Sequence, residues 1–182
     1  MIRTISAVFA AASMLAGVAM AQDASAPAAV ETTAADVANN TSFGDWIVAC
    51  EAVTVSQNVC RIVQELTLKD SNDLVVRFIA LPAQEGGAIL LAQVPIGAYL
   101  PGGAVYRLAE DTEAPQREMI WQRCMGELCE AAIAIDPAEL ESFTSAGAIL
   151  FGYRPDISVD PVIVRADVTR FAEAIEAIRT SN

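Results

Sequence analysis

An all-β fold, an immunoglobulin-like β-sandwich of about nine short strands with two short helices, is predicted by three observations. Apolar and polar residues alternate with period two through most of the chain, the mark of half-buried strands. Clusters of Asp, Asn, Gly, Ser and Pro punctuate those runs at short intervals. Only two segments carry a helical start signal or a helical apolar stripe. Many strands with few helices fit a sandwich better than an alternating α/β fold.

The elements follow in order. Trp46, Val48 and Cys50 alternate with Asp45 and Glu51. Cys60, Ile62, Leu66 and Leu68 share one face, and Arg61, Glu65 and Thr67 the other. Leu74, Val76, Phe78 and Ala80 oppose a face that holds Arg77, and Val162, Val164 and Ala166 oppose Arg165. Further strands are expected over 88–94, 104–109, 116–124, 128–135 and 148–153. Turns fall at 70–73, 85–87, 101–103 and 125–126, where glycine and short polar side chains supply turn geometry. Asp136-Pro137-Ala138-Glu139 reads as a helix start: Asp136 caps, Pro137 takes the first helical position and Glu139 reaches back to the cap. Leu140 and Phe143 then face the core, and Gly147 ends the helix. Phe171, Ala174, Ile175 and Ile178 form one apolar stripe of a second helix.

The chain has 182 residues and a formal net charge of −12. Arg3, the apolar run from Ile5 to Val18 and Ala19-Met20-Ala21 together read as a secretory signal peptide over 1–21, cleaved after Ala21. Residues 22–42 read as a flexible linker and 43–182 as a single domain. All 23 acidic residues follow the leader, so the exported part repels nucleic acid and anionic lipid; no nucleic acid partner is expected. The apolar run over 88–100 is broken by Gln93, Pro95 and Gly97, so no membrane span is expected beyond the leader. Histidine is absent, which removes Ser-His-Asp and Cys-His catalysis and the commonest metal ligand. Neither a metal nor a cofactor is expected.

Export makes the four cysteines disulfide candidates. Four cysteines allow three connectivities. Cys50–Cys60 and Cys124–Cys129 are favoured, because each pair flanks one expected strand connection; the nested pairings would close longer loops. A redox role fits poorly, because the Cys124–Cys129 spacing is not Cys-x-x-Cys and its context is a strand turn.

Three blocks stand in order after the leader: Phe43-Gly44-Asp45-Trp46 with Cys50 and Cys60, the stretch from Val94 to Gly102, and Arg123-Cys124-Met125-Gly126-Glu127-Leu128-Cys129-Glu130. Together they resemble the invasion-associated locus B family of bacterial envelope proteins, from Phe43 to about Ile178. The resemblance implies an extracytoplasmic β-sandwich with two disulfides and, in some pathogenic members, a link to attachment to or invasion of host cells. It carries over no catalytic residues. The ordinary family loop, Arg-Cys-x-x-x-Gly-Cys, departs here: Gly126 comes early and Leu128 precedes Cys129.

The segment 94–106 is the candidate functional feature. It is rich in Pro and Gly yet carries Ile96, Tyr99 and Leu100, which either tuck beneath the sandwich or stand out as a contact patch for a second copy or another protein. The acidic groups Glu110-Asp111-Thr112-Glu113 and Glu127/Glu130 read as solvated, although paired carboxylates can also hydrolyse glycosides. Trp46 and Trp121 read as core. The expectation is a periplasmic or secreted, non-catalytic interaction protein whose partner lies in the envelope or on a host surface. The competing readings are a carboxylate-based periplasmic hydrolase and a structural or stress-related envelope protein.

Overall fold

The structure, a computed structural model, describes residues 37–55, 57–111, 113 and 115–181. The expected leader and most of the expected linker lie outside the described residues. Ten strands are present among them: β1 (Ser42–Phe43), β2 (Trp46–Thr54), β3 (Gln57–Thr67), β4 (Leu74–Pro82), β5 (Ala88–Pro95), β6 (Ala104–Leu108), β7 (Arg117–Met125), β8 (Leu128–Ile135), β9 (Ala148–Tyr153) and β10 (Val162–Asp167). Helix α1 (Pro137–Ala146) joins β8 to β9, and α2 (Phe171–Arg179) follows β10.

The strands form one antiparallel series in the order β1-β2-β3-β4-β5-β8-β7-β6-β9-β10. This corrects the expected immunoglobulin-like sandwich, which needs two separate sheets. Here a single sheet curls until its ends approach. The Trp46 indole N–H of β2 donates to the Asp167 carbonyl of β10 at 2.8 Å, and the Gln64 amide of β3 reaches the same carbonyl at 3.4 Å. Period-two alternation reports one buried face per strand. It reads the same whether a second sheet or the far part of the same sheet covers that face.

The inner face is filled by side chains from both halves and from α2, whose Phe171, Ala174, Ile175 and Ile178 are buried against β2, β3 and β4. A chain of aromatic contacts crosses the interior. Trp46 meets Phe171 at 4.9 Å, Phe171 meets Phe143 of α1 at 5.4 Å, and Phe78 meets Phe151 at 5.2 Å between ring centroids. Truncating one such buried ring to Ala costs about 3–5 kcal/mol. Trp121 is only half-buried, beside a register shift in β7, and its indole N–H has no partner among the described residues.

Helix α1 starts as the sequence dictates, with the Glu139 amide donating to Asp136 Oδ1 at 2.8 Å and Gly147 closing it at φ 69°. The expected reach of the Glu139 side chain back to the cap is corrected. Its carboxylate turns inward, accepts the Tyr106 hydroxyl and meets Arg117 at 3.3 Å. The domain also begins earlier than expected. The Val37 amide donates to Ser181 Oγ, the Cys50 amide to Asn39 Oδ1, and the Asn40 amide to the Val48 carbonyl, so 37–42 are tied to the sheet rather than forming linker. Leu68, expected on the inner face, lies just past the end of β3 and is exposed.

Both disulfides join directly opposed residues of a hairpin. Cys50 pairs with Cys60 between β2 and β3, and Cys124 with Cys129 between β7 and β8, with Cα atoms 4.0 and 3.9 Å apart. The second hairpin turns at Gly126, whose φ of 62° is followed by an ordinary negative φ at Glu127. That is the pattern of a type II′ turn, which favours glycine first and accounts for the early glycine in this loop.

Candidate functional site

Antiparallel order puts the connections β3–β4, β5–β6, β7–β8 and β9–β10 at the same end of the sheet. Those four connections expose Leu68, Ile96, Leu100, Met125, Ile157 and Val159. The expected patch is part of this set, with Ile96 56% and Leu100 40% exposed and Tyr99 half-buried. The structure also divides that patch. The Ile96 amide donates to the Glu127 carbonyl, which draws it to the β7–β8 hairpin. The Tyr99 amide donates to the Arg154 carbonyl, which draws it to β9. Gly102 follows so closely that an added side chain would begin 3.1 Å from the Tyr99 ring and 3.3 Å from Arg154 Cβ.

Beside Tyr99 opens a cavity of about 280 Å³ on the outer face of β6, β9 and β10. Its floor is the cross-strand row Val105–Gly152–Ile163, in which Gly152 contributes no side chain. Leu150 continues the apolar floor, and Arg107 and Arg154 stand at its margins. The Arg107 guanidinium donates to the carbonyls of Leu108 and Asp111, and that of Arg154 to the Val159 carbonyl. A second cavity, of about 270 Å³, lies over Tyr106, Arg117 and Glu139. Burial, then the bond to Glu139, pushes the Tyr106 phenol far above its ordinary pKa, so this hydroxyl stays a donor.

The two acidic groups singled out in the sequence are not brought together. Glu110 lies on the β6–β7 side and pairs with Arg165, while Glu127 sits at the opposite end on the β7–β8 turn. Glu130 pairs with Arg123 and accepts from Gln93. Ile157, Val159, Arg107, Arg154 and Gly152 were missed by the sequence reading. The first two had a usable signal: apolar residues set among Asp, Ser and Pro in the β9–β10 connection.

These features define a class: a curled, all-antiparallel sheet, closed over two helices, with a disulfide across each of two hairpins. The model of the family described as invasion associated locus B (IalB) protein matches residues 46–179, and the chain belongs to that family. Among solved structures it is similar to the crystal structure of invasion associated protein B from Bartonella henselae. That similarity has a TM-score of 0.64 at 16% identity and covers 76% of this chain and 93% of that one. At that identity the likeness concerns the fold. A comparison with curated proteins finds no match.

Proposed function

We propose that this protein is exported to the bacterial envelope and acts there, or at a host-cell surface, by binding another protein without catalysing a reaction. The observation that carries the reading is the gathering of exposed apolar side chains, Ile96, Leu100, Met125, Ile157 and Val159 among them, on connections at one end of the sheet. Apolar groups spread over an ordinary surface need no explanation, but a set concentrated on loops marks a contact region. The disulfide below Met125 holds one of those loops in a fixed shape, which lowers the ordering cost of binding. Membership of a family described by invasion supports a host-facing role. The two disulfides support an oxidising compartment.

Photo-crosslinking in living cells tests this. A crosslinker placed at position 100 or 157 should give a discrete protein adduct. One placed at Ile89, also exposed but at the other end of β5, should not. Equal labelling from all three positions, or none from any, would overturn the contact reading. Export is tested by sequencing the N-terminus of periplasmic material, which should begin at Gln22.

A further inference from the structure

Nine arginines lie among the described residues, in a chain with 23 carboxylates. Seven of them, Arg61, Arg77, Arg117, Arg123, Arg165, Arg170 and Arg179, lie within 4 Å of a glutamate carboxylate. Arg107 and Arg154 do not, and both line the same cavity. Each spends one terminal nitrogen on backbone carbonyls, and a guanidinium carries five N–H donors in a planar fork that suits carboxylates. In so acidic a protein, two cations without a carboxylate partner at one cavity call for an anion from outside.

Their placement specifies its shape. Arg107 is opposite Leu150, and Arg154 lies four residues further along β9. At a rise of roughly 3.3 Å per residue, their backbones are about 13 Å apart along the strand. Their heads turn to opposite ends, Arg107 toward Asp111 and Arg154 toward Val159. Between them lie Val105, Leu150 and Ile163, with bare backbone at Gly152. Arg165, paired with Glu110, adds a cation beside Leu150, while Glu118 flanks Val105 on the far side, away from Ile163. We infer that this cavity binds an elongated small molecule with an apolar middle and a carboxylate at each end, Arg107 holding one end and Arg154 the other. The volume of about 280 Å³ suits a chain of a few carbons rather than a folded peptide.

The inference is independent of the protein-contact reading, which rests on other side chains. Octanedioate is the probe, titrated calorimetrically into the full exported protein, with octanoate and butanedioate as comparators. Octanedioate should bind at least ten-fold more tightly than either, because octanoate engages one arginine and butanedioate cannot span both. Arg107→Gln and Arg154→Gln should each weaken it about ten-fold. Gly152→Val should abolish binding. A Cβ there meets the Val162 carbonyl, Ile163 and Val105 at 3.6, 3.7 and 3.9 Å, all ordinary contacts, so this variant fills the floor while keeping the fold. An unchanged thermal midpoint for each variant separates lost binding from lost structure. Equal affinity for octanoate, indifference to both arginine variants, or no heat at millimolar octanedioate would each overturn the inference.

Discussion

On the outer face of β3, β4, β5, β8 and β7, charges are matched across the strands; on β6, β9 and β10, two of three arginines are not. Glu65, Arg77, Gln93, Glu130 and Arg123 occupy one cross-strand row, bridged by Glu65–Arg77, Gln93–Glu130 and Glu130–Arg123 contacts. Such a row satisfies itself and contributes modestly to sheet stability. The β6–β9–β10 face lacks that closure: its apolar floor carries a gap at Gly152, and Arg107 and Arg154 have only backbone carbonyls. The difference separates surface that maintains the fold from surface available to a ligand.

Four outcomes would break or sharpen that distinction. The largest effect is expected from replacing both Cys124 and Cys129 with serine, because this bond ends the matched row beside Arg123–Glu130. Urea unfolding should show a loss of about 2 kcal/mol on the chain-entropy model. A loss confined to the β6–β9–β10 face would contradict the assignment of the row. Tyr106→Phe, on the inner side of β6, should cost about 1 kcal/mol through the lost bond to Glu139.

Tyr106 and Tyr153 also set an alkaline limit, since burial raises both phenols in the folded state. A raised folded pKa gives stability that is fully present below the unfolded value of about 10 and lost as pH rises above it. Midpoints measured from pH 8 to 12 should fall above pH 10, and less steeply in Tyr106→Phe. Arg77→Ala should cost less than about 1 kcal/mol, and less still at high salt. Arg107→Ala should change stability least, within about 0.5 kcal/mol. A larger loss there would make Arg107 a structural residue of the 108–111 turn.

Nine of the ten strands, both helices, the Asp136 cap and the inward stripe of α2 were legible in the sequence, because each is written in a local period or a local cap. The two-residue β1 was not, being too short to show a period. Nor was the single curled sheet, since β5–β8 and β6–β9 pairing joins segments far apart in the chain. Ile96, Tyr99 and Leu100 stood out because Pro and Gly surround apolar side chains there. Arg107 and Arg154 did not, because an arginine's lack of a carboxylate partner depends on what folding brings beside it. Arg165, 55 positions from its partner Glu110, looks no different in the sequence.

The Asp167 carbonyl has a consequence for the order of assembly. Hairpin neighbours such as β2–β3 and β4–β5 close short loops, whereas the junction between the first and last strands closes across more than 100 residues and rests on two side-chain donors, Trp46 and Gln64, at one oxygen. Long closures are entropically costly and come late. The seam is therefore the last part of the barrel-like curl to form and the first to open, and amides of β10, held by β9 alone, should exchange with deuterium ahead of those in β4 and β5.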